Sequence, residues 1–226
     1  VTGSVLHIKL DDNLFLKDPT VSKLGRLILS EGLLLLNEIG LEEFTFKKLA
    51  SRVNTTESSI YRYFESKHQF LFYLFNFYWA WMEIGIVLST NNIESPKKRL
   101  SIIIKHLTSV VENDVRTPYI DEAILQKVIA MESSKTFLTK KVDDENKIGY
   151  FLQYKKLVSA VSKVIKEISP DYPYPNALVT TIIESSFHQR FFGLHLPRLT
   201  NDLHDENNLN DFLTNLCFNT IENYGK

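Results

Sequence analysis

Thr45-Phe-Lys-Lys-Leu49-Ala50-Ser-Arg52-Val53-Asn54-Thr55-Thr56-Glu57-Ser58-Ser59-Ile60-Tyr61-Arg62-Tyr63-Phe64-Glu65-Ser66-Lys67 is the stretch that decides how the rest of this chain is read. It fits two short helices joined by a tight turn. Thr45 stands at an N-cap position ahead of a helix running to about Val53. Asn54 takes the turn, where a left-handed backbone is common and Asn tolerates it. Thr56 caps the second helix, which runs to about Phe64, and Ser66 caps a third that begins at Lys67. Leu49, Ala50, Val53, Ile60 and Phe64 hold the inward positions, with Ala50 small enough to let the helices approach. Thr55, Thr56, Glu57, Ser58, Ser59 and Arg62 are left facing a partner.

The same stretch carries groups suited to phosphate. Tyr61 and Tyr63 each offer a hydroxyl that reaches an anionic oxygen while the ring packs along the helix. Lys67 lies in the first turn of the next helix, where backbone N–H groups already favour an anion, and Thr45 opens its own helix in the same way. Four anchors flanking one exposed helix suit a helix laid in the major groove of DNA with its ends tied to phosphates. By spacing alone, a helix-turn-helix in an all-α protein is also a common way of packing, so both readings stand at this point.

The run Leu49-Ala50, Asn54-Thr55-Thr56 and Ile60-Tyr61-Arg62-Tyr63-Phe64-Glu65-Ser66-Lys67 resembles the DNA-binding head of the TetR/AcrR family of transcriptional regulators, over roughly residues 21–70. The resemblance implies that the helix after the turn enters the major groove, with Thr45, Tyr61, Tyr63 and Lys67 holding phosphates. Three departures stand out. Asn54 replaces a turn glycine, Ser58 replaces a frequent glycine, and Glu57 stands where a neutral or basic residue is common. A carboxylate at Glu57 can accept from a cytosine amino group but repels a phosphate. From Thr45 to Phe70, five basic residues (Lys47, Lys48, Arg52, Arg62, Lys67) stand against two acidic ones (Glu57, Glu65), a surplus of +3. That surplus makes binding salt-sensitive.

Working outward, residues 1–20 read as an arm ending in Asp18-Pro19, 21–66 as the helix-turn-helix domain, and 67–226 as a larger helical domain. Leu24, Leu27, Ile28, Leu34 and Leu35 give a helical pattern from Val21 to Ile39, and Gly40 stops it. The helix from Lys67 is expected to reach about Ser89. Leu100, Ile103, Ile104, Leu107, Val110 and Val111 form one later stripe, and Ile148 to Ile168 a second. Pro170, Pro173 and Pro175 break the chain, and two helices follow near 176–194 and 207–223. No stretch alternates with period two, so the fold class is all-α: a three-helix head ahead of a larger helical bundle.

Composition bounds the rest. The 226 residues are 44% apolar and 23% charged with a net charge of −1, which suits a globular protein and excludes a nonspecific polycation. Cys217 is the single cysteine, so an internal disulfide is impossible. No apolar run is expected to reach the ~20 residues that span a bilayer, because Asn76 interrupts the aromatic run from Leu71 to Met82. No secretory leader is evident, and the expected location is cytoplasmic. His-Glu-x-x-His, a phosphate-binding glycine loop and Gly-x-Ser-x-Gly are absent, so neither an enzyme nor a metal or cofactor is expected.

The resemblance further implies a ligand-responsive homodimer, with a pocket in the larger domain and the last two helices pairing subunits on a near-palindromic operator. Ile182, Ile183, Phe187 and Phe191 on one helix, with Phe212, Leu213 and Leu216 on the other, are the apolar residues offered for that pairing. Trp81, His106, Tyr150, Tyr154, Glu184 and His188 are the groups offered to a small apolar or aromatic ligand. The aromatic residues of the helix after Lys67 either pack or line such a cavity. The expected function is a sequence-specific DNA-binding regulator, a repressor released by a ligand. The alternative is an all-α interaction protein whose head binds a protein partner.

Overall fold

The structure, a computed structural model, describes residues 6–224; the first five residues of the expected arm and the last two of the chain lie outside the described residues. The fold is all-α, with eleven α-helices, three 3-10 turns and no strand among the described residues. Two compact units divide it. The first contains residues up to Ala80 together with Val111–Gln153, and the second contains Trp81–Val110 and the chain from Tyr154 onward. These units do not follow the division expected at residues 66 and 67.

The first unit opens with 3-10 turns at Asp12–Leu14 and Pro19–Val21. Ile8, Leu10 and Leu14 are buried, so the N-terminal stretch is packed at those points. Helix α1 (Lys23–Glu43) starts at Ser22, whose hydroxyl accepts from Gly25 N–H. Gly40 interrupts it at φ 69°, ψ 167°, a backbone that costs an L side chain strain. Helix α2 (Phe46–Arg52) is capped by Thr45 and helix α3 (Glu57–Tyr61) by Thr56. Asn54 between them holds φ 52°, the left-handed conformation its identity suggested. Helices α6 (Glu122–Glu132), α7 (Ser134–Phe137) and α8 (Val142–Lys147) complete the unit, with α1 packed on α6 and α2.

Helix α4 (Lys67–Thr90) begins in the first unit and ends in the second. By length and composition it could cross a membrane: its most apolar 18 residues have mean hydropathy 1.4 despite Asn76. This corrects the expectation that no apolar run is long enough. Two thirds of that window (67%) is buried inside the protein, as in the core helix of a folded domain. Phe70, Phe72, Tyr73, Phe75, Phe77, Tyr78 and Trp79 are each at most 2% exposed. Their rings pack edge-on or stacked against Phe15, Phe44, Phe64, Tyr119 and Phe151, which answers the question of packing for this part of the helix. Each such side chain contributes about 2–3 kcal/mol of burial.

In the second unit, α5 (Pro96–Thr108), α10 (Pro175–His195) and α11 (Glu206–Glu222) pack on one another. Ser95 and Asp205 cap α5 and α11, and Pro175 opens α10, as the triple-proline break suggested. The end of α5 ties the others: Thr108 accepts from Arg190 through its carbonyl and from Asn210 through its hydroxyl. Helix α9 (Leu152–Ile168) buries Leu157, Val158, Val161, Val164 and Ile165 along one face. Val110 and Ile148, expected in apolar stripes, lie outside the helices and are about half exposed.

Candidate nucleic-acid interface

Thr45 caps α2 by accepting from Lys48 N–H at 3.2 Å. Thr56 caps α3 by accepting from Ser59 N–H at 3.3 Å, and its hydroxyl also meets those of Ser58 and Ser59 at 2.9 and 2.8 Å. Ile60 is fully buried, which holds α3 with Thr56, Glu57, Ser58, Tyr61 and Arg62 exposed and Thr55 and Ser59 half-buried. Tyr61 rests its ring edge on Phe46 at 5.0 Å while remaining 47% exposed. The ring is held against Phe46 while about half of the residue stays open to solvent.

A groove of about 360 Å³ runs along this face, lined by Phe44, Thr45, Phe46, Glu57, Tyr61, Glu65, Ser66 and Lys67. Three of the four expected phosphate anchors, Thr45, Tyr61 and Lys67, thus meet in one place. Glu65 and Ser66 share it and were not singled out, because they belong to the turn after α3 and not to a helix face. Lys67 already donates to the carbonyls of Leu41 and Glu42 at 2.8 and 2.9 Å. Its ammonium is held at the groove by neutral acceptors, in a lining it shares with the carboxylates of Glu57 and Glu65.

The fourth anchor is corrected. Tyr63 is 4% exposed, its hydroxyl shares a hydrogen bond with Ser22 Oγ at 2.8 Å, and Lys17 lies 5.4 Å from its ring centroid. Two residues beyond Tyr61, it falls on the opposite side of the turn and fastens α3 to the start of α1. The head is also less basic than its second half suggests. Arg52 pairs with Glu31 at 2.6 Å and bidentately with Glu38 at 2.5 and 2.9 Å, which raises the Arg52 pKa and lowers that of Glu38. Lys48 pairs with Glu43 at 3.2 Å. From Val21 to Phe70, seven Lys and Arg stand against six Glu, a net of +1.

The residues offered to a ligand divide between the units. Tyr150 belongs to the first, its ring 4.7 Å from that of Phe72. Trp81, His106, Tyr154 and Glu184 are half-buried in the second, and His188 is exposed, its ring bonded to the Glu184 carbonyl at 2.8 Å. Trp81 stacks on His106 at 6.4 Å. Burial lowers the His106 pKa and raises those of Glu184 and Tyr154, the last helped by the Glu184 charge. Of the residues offered to a partner subunit, Ile182, Ile183, Phe187 and Leu213 are buried within the single chain. Phe191, Phe212 and Leu216 remain 44%, 44% and 37% exposed, with Leu194 at 63%. Cys217 is buried, its thiol pushed up to about 12 by desolvation.

Comparison with known proteins agrees with this geometry. Residues 28–74 match the family model of bacterial regulatory proteins of the tetR family, which spans α1 to the first turns of α4. The whole fold is similar to that of AibR solved with isovaleryl coenzyme A and operator DNA, at 18% identity, TM-score 0.58, covering 84% of this chain and 97% of AibR. Apo AibR gives 16% identity and TM-score 0.53 over 84% of this chain and 96% of AibR. The superantigen PfiT is also similar, at 18% identity and TM-score 0.54 over 87% of this chain and 96% of PfiT. No curated protein sequence matches the chain. At these identities the solved structures speak for the fold, and the family model speaks for the head.

Proposed function

We propose that this TetR-family DNA-binding regulator is a repressor that acts in the cytoplasm as a homodimer and leaves a near-palindromic operator when a small apolar or aromatic molecule occupies its larger domain. The observation that carries the reading is the groove in which Thr45, Tyr61 and Lys67 meet beside the outward face of α3. Phosphates on either side of a major groove would seat on those residues, with Lys67 already held in place. Thr55, Thr56, Glu57, Ser58, Ser59 and Arg62 would then face base edges.

The exposed apolar side chains of α10 and α11, Phe191, Leu194, Phe212 and Leu216, supply the centre of a two-fold interface. Such a dimer would present two copies of α3 about 34–36 Å apart or a multiple of it. Trp81, His106, Tyr154 and Glu184 are the groups proposed to orient the ligand, with Tyr150 and His188 as further contacts. Burial biases His106 and Glu184 towards their neutral forms, which suits an uncharged molecule. AibR, solved with both an acyl coenzyme A and operator DNA, offers a precedent for pairing an effector with an operator.

The second reading, a head that binds a protein, draws on Glu57 and Glu65 in the groove and on the net of +1. One experiment separates the two. The purified protein is incubated with fragmented genomic DNA of its source, and the retained fragments are sequenced beside a Tyr61→Ala control. Enrichment of one inverted repeat that the control does not retain supports the repressor. Equal retention by both proteins, or none, moves the protein-binding reading ahead.

A further inference from the structure

Asn13 lies in the 3-10 turn Asp12–Leu14, ahead of α1. The turn is anchored by its neighbours: Leu14 is 1% exposed, and the ring of Phe15 meets that of Tyr73 edge-on at 6.1 Å. Asn13 itself is exposed, yet two of its polar groups are engaged at long sequence range. Its backbone carbonyl accepts from Gln69 Nε2 at 3.2 Å, and its side-chain amide donates to the Ile148 carbonyl at 3.1 Å. Gln69 is 6% exposed, and its Oε1 accepts from Glu65 N–H at 2.7 Å. Three residues on from Asn13, Leu16 N–H donates to the Tyr63 carbonyl at 2.8 Å.

Hydrogen bonds therefore run in series from Glu65, in the turn that leaves α3 and lines the groove, through Gln69 and Asn13 to the 148–150 segment ahead of α9. A buried amide must satisfy both its ends, so the Glu65 N–H and the Asn13 carbonyl constrain one another through Gln69. We propose that Asn13 and Gln69 are positioning residues for operator binding, fixing the angle at which the turn after α3 presents the groove. This rests on the DNA-binding reading above. Neither is placed to touch DNA: Gln69 acts through Glu65, and Asn13 acts through Gln69.

The test uses the duplex that the wild-type protein retains from fragmented genomic DNA and a duplex of the same composition with scrambled half-sites. Asn13→Ala removes the bond to Ile148 at an exposed position. Gln69→Met keeps the length of the buried side chain and loses its bonds to Glu65 N–H and the Asn13 carbonyl without burying a charge. Each single variant is expected to weaken binding to the retained duplex at least about fivefold, the loss of one net hydrogen bond or more. Binding to the scrambled duplex should stay within about twofold, because its phosphate contacts tolerate a loosened head. The Glu65 amide should exchange with solvent faster in both variants. The double variant should be no weaker than the weaker single one, since the bonds act in series. Unchanged affinity for the retained duplex in both singles overturns the inference, as does an equal fall on both duplexes, which would mark general loss of the folded head. Failure of the wild-type protein to retain any duplex sinks the DNA reading and this inference with it.

Discussion

Glu57→Gln sets two physical effects against each other. Glu57 lies in the first turn of α3 and lines the groove with Thr45, Tyr61 and Lys67. An acidic side chain at a helix N-terminus stabilises it by roughly 0.3–1 kcal/mol, so the variant should lose about that much head stability. A phosphate taken at about 7 Å from the carboxylate would, with water-like screening, meet a repulsion of about 0.6 kcal/mol. Two heads of a dimer double it to about 1.2 kcal/mol, roughly sevenfold in affinity. Fluorescence anisotropy with a scrambled duplex at about 0.01 M salt, where the Debye length is about 30 Å, reads this directly, and a thermal melt reads the stability. The expected result is tighter nonspecific binding by several fold with a slightly lower melting temperature. If affinity for the scrambled duplex is unchanged or falls, Glu57 does not face the phosphates and the docking geometry is wrong. If it rises while affinity for the retained inverted repeat falls, Glu57 reads a base.

Asn54 holds φ 52°, so Asn54→Ala should cost about 1 kcal/mol in chemical denaturation while Asn54→Gly stays near neutral. A carboxylate placed in the exposed apolar face by Phe212→Asp should raise the dimer dissociation constant at least tenfold by sedimentation; an unchanged constant removes α11 from the interface. Burial lowers the His106 pKa and Nε2 has no hydrogen-bond partner among the described residues, so the folded state binds its proton less readily than the unfolded chain. Stability should then fall as pH drops through about 6.5, the unfolded value, and His106→Phe should flatten that slope in melts between pH 5 and 7.

The head was legible because its signals are local. Thr45, Thr56 and Ser66 cap their helices, Asn54 takes positive φ and Gly40 breaks α1, each a matter of one residue's own chemistry. What failed was phase and distance. In the run Leu33-Leu34-Leu35-Leu36 every phase looks apolar, and the structure buries Ile28, Leu29, Leu33 and Leu36 while Leu27 is 38% exposed. Helices α6, α7 and α8 went unread because α7 and α8 are short and α6 buries polar Glu122, Gln126 and Glu132 on its inner face. Glu122 stays there by accepting from Thr117 Oγ1 and from Asp114 N–H at 2.9 Å. Tyr63 was misassigned since a tyrosine hydroxyl serves a phosphate and Ser22 equally well, and only the fold places Ser22 beside it. The surplus of +3 ignored acids outside its window: Glu31 and Glu38, on α1, are brought to Arg52 by packing alone.

The central claim is that α3 and its groove read DNA sequence. Its most direct test is the affinity of the wild-type protein for the retained inverted repeat against the same duplex with scrambled half-sites, measured as salt rises. The account predicts a preference of about 10³-fold or more, with binding to both falling steeply with salt. Equal affinity for the two duplexes, or affinity indifferent to salt, would contradict it.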